Sequence, residues 1–236
     1  MTLTVIPVEG LPEVREGDDL AALIADAADL QDGDVLVVAQ KVVSKAEGRM
    51  ARLSEVEASP QAKDLAADRD PRELEVILRE AVRLVRTRPP LVIAETRHGF
   101  VCASAGVDHS NAAEPDTLVL LPVDPDASAR RLADKLGVPV IVSDSFGRPF
   151  RQGTTDVAVG VAGLAPLLDL RGVRDAAGYE LRTTMIAVAD EIAGSAELVM
   201  GKTARIPAAI VRGLDLGGGD GSARDLVMPA ERDLFR

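Results

Sequence analysis

The sequence predicts an α+β fold, and two features carry that prediction. Candidate strands and helices follow one another in mixed order, without a regular strand–helix alternation. The apolar share is 47% but aromatics are only 2% and Trp is absent, so the core must be built from Val, Leu, Ile and Ala. That is the mixture used by buried strands and by the helices packed on them. A chain of 236 residues can bury a substantial core as one large domain or two small ones.

The first strand runs over Leu3 to Val8 and ends at the turn signal Gly10-Leu11-Pro12. Asp18 is placed to cap a helix over Asp19 to Leu30, with Leu20, Leu23, Ile24 and Ala27 on one face. Gly33-Asp34 turns into the apolar run Val35 to Ala39, a buried strand. Pro60 to Ala67 reads as a short helix, and Pro71 to Arg88 as a long one with Leu74, Ile77, Leu78, Ala81 and Val85 aligned. Pro89-Pro90 stops it. Strands follow at Leu91 to Glu95, Val101 to Ala105 and Leu118 to Leu121. A helix over Asp126 to Leu136 then leads into a strand over Val138 to Val142. Residues 153–165 read as a strand with close backbone approaches, about Thr183 to Met200 as a helix, and Ala208 to Val211 as the last strand. Residues 1–215 then form the main domain, and 216–236 a flexible Gly-rich segment and charged tail.

Charge and composition exclude several functions. The net charge is −11, with 38 acidic against 27 basic residues, a field that repels the phosphate backbone of nucleic acids. No apolar run approaches the roughly 20 residues needed to span a bilayer. The start, Met1-Thr2-Leu3-Thr4-Val5, lacks the basic and apolar parts of a secretion signal, and the single Cys102 has no partner for an internal disulfide. These features predict a cytoplasmic protein. In so acidic a chain, clustered Lys and Arg become informative.

Three segments bring chemistry-bearing residues to strand ends. Val138 to Phe150 delivers Ser143-Asp144-Ser145 after a buried strand, followed by Arg148 and Arg151. Asp144 offers a hard oxygen and Ser145 a hydroxyl to a Mg²⁺ shell, while the arginines suit phosphate or carboxylate. An Asx turn with solvated arginines accounts for the same residues. Ala105 to Asn111 repeats the layout, with Asp108 as a second carboxylate and Asn111 as an amide for a nucleotide; an ordinary turn again explains both. Gln40 to Arg49, read as a loop after a strand, gathers Lys41, Lys45 and Arg49. Lys45 there is either a point charge for a β- or γ-phosphate or part of a basic surface loop.

Other chemistries lack their signatures. There is no GxxxxGK[ST] and no GxGxxG after a strand, which excludes P-loop and Rossmann nucleotide sites. His98 and His109 lack zinc-site spacing, Cys102 reads as packing, and Asp190-Glu191 as the solvated face of a helix.

Taken together and in order, these segments resemble the coenzyme F420-0:L-glutamate ligase (F420 gamma-glutamyl ligase) family. The resemblance rests on Pro7-Val8-Glu9-Gly10-Leu11-Pro12, Gly33 to Val38, Ser44 to Arg49, and Ala105-Gly106-Val107-Asp108 with Asn111. It continues through Asp144, Gly147-Arg148, Phe150-Arg151, Ala189 to Ala193, Met200-Gly201 and Val211-Arg212-Gly213. It spans about residues 5–215.

The resemblance implies a mixed-sheet α+β fold peculiar to that family, in an intertwined homodimer. It implies a GTP-dependent ligase that adds L-glutamate to coenzyme F420-0 and then a γ-linked glutamate, through an acyl phosphate. Carried over by position, Leu11, Pro12, Glu13, Val14, Gln40, Lys41, Lys45 and Asn111 would hold GTP, with Gly201 and Lys202 beside them. Asp108 and Asp144 would share a Mg²⁺ or Mn²⁺ ion and Ser145 would touch a second, with K⁺ a further candidate cation. Relatives often carry Thr at Ser145. Some also carry an acidic residue after Met200-Gly201, where this chain has Lys202, which cannot ligate while protonated. Lys45, Arg148 and Arg151 are the catalytic candidates, the arginines for acidic groups of the substrates. The rival readings are a related carboxylate–amine ligase with another substrate and a non-catalytic nucleotide-binding partner. The tail Met228 to Arg236 resembles the junction where some relatives continue into a flavin-binding reductase-like domain.

Overall fold

The computed structural model describes residues 2–110, 115–216 and 218–234, and has the mixed α+β architecture. In chain order the elements are β1 (Thr4–Pro7), α1 (Leu20–Ala27), β2 (Val35–Ala39), α2 (Gln40–Ala46), β3 (Met50–Arg52), α3 (Pro60–Ala66), α4 (Pro71–Glu80), β4 (Ala81–Arg88), β5 (Leu91–Thr96), β6 (Val101–Ala103) and β7 (Thr117–Val119). Then come α5 (Pro125–Leu136), β8 (Val140–Gly147), β9 (Thr154–Ala162), β10 (Leu168–Asp169), β11 (Met185–Ile186), α6 (Val188–Met200) and β12 (Ala208–Arg212).

The main sheet has the order β1-β12-β2-β8-β9, with β2 and β8 parallel and the other pairs antiparallel. Val35, Leu36, Val37 and Val38 on β2 and Val140, Ile141 and Val142 on β8 are buried, as a central strand covered on both faces requires. Burying each such side chain contributes about 2 kcal/mol. α5 and α6 both pack on β8 and β9. α5 has Asp124 as N-cap, Pro125 in its first turn and Gly137 in the left-handed conformation at its end. α6 packs so closely that Asp190 accepts a hydrogen bond from the Ala158 N–H at 2.9 Å. Asp190 is therefore half-buried against β9, not a solvated face, and burial raises its carboxyl above the usual value.

A smaller core joins α3 and α4 to the β4-β5-β6 sheet through Ala62, Leu74, Ile77, Val92 and Ala94. Here the expected long helix is corrected. Pro71–Glu80 is helical, but Ala81–Arg88 is a strand paired with β5. The helical spacing of Ala81 and Val85 imitated a continuation, whereas Val82, Val85 and Thr87 favour the extended chain once β5 offers a ladder. Other corrections are smaller. Asp19, not Asp18, caps α1; the helix before Met200 starts at Val188; and Gln40–Ala46 is helical, not a loop. The Gly-rich segment read as flexible is anchored where it is described. Asp220 pairs with Arg130 and accepts from Gly163 N, while Asp126 on α5 holds Ser222 and Ala223. No helix among the described residues is long and apolar enough to cross a membrane.

Candidate active site

The parallel pairing of β2 with β8 sets the site. Ala39 lies opposite Ser143, so α2 begins at Gln40 beside the level where β8 reaches Asp144. β8 does not end in an Asx turn at this point. It continues to Gly147 in a ladder with β9, after an irregularity between Val142 and Ser143. Such irregularities re-aim side chains, and many adjoin active sites. Ser145 then faces Asp156 directly across the ladder.

Asp108 arrives from another direction. Ser104, Ala105 and Gly106 all have positive φ, and a Cβ on Gly106 would lie 2.7 Å from the Leu121 side chain. Glycine at 106 permits this tight turn, after which Asp108 pairs through its backbone with Val119. The Asp108 carboxylate accepts from the Ser110 N–H at 2.8 Å and from the Ser110 hydroxyl at 2.9 Å, so the local turn is real. It also meets the Lys41 ammonium at 2.6 Å, and Lys41 reaches the Ser110 hydroxyl. Turn and site are one structure here.

The charges of Lys41, Asp108, Asp144 and Asp156 act on one another. Burial pushes Asp144 up to about 7; the Ser145 N–H and Lys41 oppose this, and Asp156 and Asp108 add to it. Burial also works against ionisation of Asp108, but Lys41 and the Ser110 donors outweigh it and hold that carboxyl below its usual value. Cys102 on β6 is pushed up to about 12 by burial and then by Asp144, so it is a packing thiol and no nucleophile.

Next to this group lies a second one that sequence reasoning missed. Asp156, only 6% exposed, accepts from the Ser143 hydroxyl at 3.0 Å and from the Ser145 hydroxyl. Glu197 on α6 accepts from the Asp156 N–H at 3.3 Å. The Lys202 ammonium donates to Ser145 Oγ and lies 3.8 Å from both Asp156 Oδ1 and Glu197 Oε1. A signal existed: Asp156 is a lone acid within a Val- and Gly-rich strand, a position that needs a partner.

Lys45 is buried on α2 and pairs with the exposed Glu13 at 2.5 Å. Gln40 is buried too. It accepts from the Ser44 hydroxyl at 2.8 Å, while its Nε2 has no partner among the described residues. A buried amide donor without an acceptor is costly in an empty protein and is the feature a bound ligand would satisfy. Of Leu11 to Val14, only Glu13 reaches a lysine. Leu11 packs on the core and Val14 is buried in it, so contacts from these two to a ligand fall to their backbone. Gly201 ends α6 with φ +58, which releases Lys202 toward Ser145. Asn111 lies outside the described residues.

The remaining candidates stand apart. Arg148 and Arg151 are exposed in the turn between β8 and β9, where Arg148 donates to the Gln152 carbonyl at 3.0 Å and makes no ion pair with the cluster. Arg49 is bound to the Leu121 carbonyl and to Glu80, a structural cation. A cavity of about 570 Å³ between α1, α2 and α5 is lined by neither the site lysines nor the site carboxylates.

The donor set fits a divalent cation of one kind. Among the described residues, no three His, Cys, Asp or Glu side chains form a metal cage. Asp108 and Asp144 would supply hard oxygens, and other oxygen donors would have to complete the shell. Mg²⁺ takes that arrangement: one or two carboxylates, substrate phosphates and retained waters.

Residues 10–213 match the model of the F420-0:gamma-glutamyl ligase family. The coenzyme F420:L-glutamate ligase of Methanopyrus kandleri is 49% identical, covering 100% of this chain and 98% of that protein. That of Methanothermobacter thermautotrophicus is 46% identical with both chains covered in full. The Archaeoglobus fulgidus ligase is 42% identical over 100% of this chain and 97% of its own length.

Proposed function

The chain belongs to the F420-0:gamma-glutamyl ligase family, and on that premise we propose that it joins L-glutamate to coenzyme F420-0 and then adds a γ-linked glutamate, with GTP as the energy source. The observation that carries the reading is the placement of Lys41 against Asp108, with the partly exposed Asp144 close enough to feel both.

A carboxylate resists attack by an amine because its leaving group is poor. In the proposed reaction a carboxylate oxygen of F420-0 attacks the γ-phosphorus, the bond to the β-phosphate oxygen breaks, and GDP leaves. The glutamate amine then attacks the acyl phosphate carbon, the C–O bond to phosphate breaks, and the amine's proton passes to phosphate or solvent. Lys41 and Lys45 neutralise phosphate charge, which in phosphoryl transfer is most of what a protein contributes. Before that, Glu13 must release Lys45 and Asp108 must share Lys41 with the incoming phosphates. Gln40 Nε2 supplies a preset donor to the nucleotide. Asp108 and Asp144 would hold a Mg²⁺ or Mn²⁺ ion, which would supply positive charge to offset that of the phosphates. Arg148 and Arg151, without an acidic partner among the described residues in the turn between β8 and β9, suit the acidic groups of glutamate or of the coenzyme. We also assign a homodimer as the working assembly, on the resemblance to the family alone.

The test is mass spectrometry of F420-0 incubated with the protein, GTP, Mn²⁺ and L-glutamate. Gain of glutamyl units, with GDP and phosphate formed only when F420-0 and glutamate are both present, is the expected result. GTP turnover without either substrate, or glutamylation of a different carboxylate only, removes the reading.

A further inference from the structure

Lys202 is the feature of the site that the ligase reading leaves without a task. It follows the last turn of α6, and its side chain reaches back across the mouth of the β8–β9 ladder. Its ammonium donates to Ser145 Oγ and stands 3.8 Å from Asp156 Oδ1 and 3.8 Å from Glu197 Oε1. Asp156 and Glu197 hold each other in place through the Asp156 N–H, and the Ser143 and Ser145 hydroxyls both point at Asp156. Three oxygen-bearing side chains thus surround one positive centre, and that centre is a lysine.

We propose that Lys202 is the resident second cation of the site. A tethered ammonium fills the position among Ser145, Asp156 and Glu197, so the chain takes one divalent cation and not two. The inference rests on the reading of Asp108 and Asp144 as metal ligands. Geometry supports it. Lys202 is placed against Ser145, Asp156 and Glu197, while Lys41 is placed against Asp108. The Ser145 hydroxyl donates to Asp156 and accepts from Lys202, so a divalent ion on its remaining lone pair would stand against the ammonium group. A lysine is a compact point charge with three donors, suited to stand beside phosphate oxygens at every turnover without a second metal-binding event.

The experiment counts tightly bound Mn²⁺ by electron paramagnetic resonance, with a non-hydrolysable GTP analogue present, for wild type, Lys202→Ala, Lys202→Glu and Lys202→Arg. Lys202 is more than half exposed, so the variants should fold, and unchanged melting curves check this. One ion on wild type and Lys202→Arg and two on Lys202→Glu and Lys202→Ala is the expected result. Two ions on wild type, or one on all four proteins, overturns the inference. No ion on wild type but one on Lys202→Ala removes the metal assignment of Asp108 and Asp144, and the inference that rests on it falls with it. No ion on any protein removes both.

Discussion

Ser145 and Asp156 face each other across the β8–β9 ladder, and the Ser145 hydroxyl donates to the Asp156 carboxylate. The same carboxylate takes the Ser143 hydroxyl at 3.0 Å. Asp156 therefore sets the direction of two hydroxyls on the strand that carries Asp144. Asp156→Asn should keep the fold but turn one hydroxyl away, because an amide accepts at only one of its two heads. We expect kcat for ligation to fall about tenfold or more with unchanged secondary structure, read by mass-spectrometric rates and circular dichroism. Wild-type kinetics would make Asp156 a packing residue only.

Asp144→Asn keeps the shape of the side chain and loses the charge that a hard cation needs. Ligation should drop by about 100-fold or more, equivalent to roughly 2.7 kcal/mol of transition-state stabilisation. Because burial already disfavours the charged form, the metal-free variant should melt no lower than wild type at pH 8. Full activity in the folded variant would remove Asp144 from the metal shell.

Lys45→Ala removes a buried ammonium that the exposed Glu13 holds. Nucleotide affinity and the rate of phosphoryl transfer should fall together, each by about tenfold, since a cation beside the transferring group acts on both. Calorimetry with a GTP analogue and single-turnover rates measure the two effects. If affinity and rate both hold, the Lys45–Glu13 pair is structural.

Asp34 is fully buried at the start of β2 and takes two hydrogen bonds from Arg212, at 2.7 and 2.8 Å. The Arg212 bonds hold its carboxyl below the usual value, against the opposing effect of burial. A depressed carboxyl adds stability that is present above its unfolded value of about 3.9 and is lost as pH falls through the folded one. Asp34→Asn should cost about 2 kcal/mol at pH 7, with the gap to wild type closing below pH 4. Urea unfolding at several pH values tests this. A constant gap would assign the loss to shape and not to charge.

Gly160 on β9 has no room for a side chain: an added Cβ would lie 2.3 Å from the Pro125 carbonyl oxygen on α5. Backbone atoms cannot step aside as a flexible side chain can. Gly160→Ala should destabilise the protein by about 1–3 kcal/mol in urea unfolding. A neutral result would mean that α5 sits less tightly on the sheet than described.

Much of this protein was legible in the sequence because the signals are local. Apolar runs at Val35–Ala39 and Val138–Val142 announce buried strands, Pro and Gly mark the ends of α5, and the ordered motifs from Pro7 to Gly213 identify the family. Asp108, Asp144, Lys41 and Lys45 could be picked out as candidates because hard oxygens and ammonium groups near strand ends suit ions and phosphates, although turns and surface loops use the same residues. Pairing between distant segments is not written in any one segment. Ala81–Arg88 carries a helical spacing yet becomes a strand because β5 offers it a ladder. Asp156 and Glu197 lie 41 positions apart and meet only when α6 folds onto β9; Lys202 joins them only because Gly201 turns the chain back at the helix end. Residue types set what chemistry is available, whereas register and helix docking decide which charges come within reach. Coulomb energy falls with separation and with screening by water, so an ammonium group acts as the partner of a carboxylate only where the fold puts them a few ångströms apart.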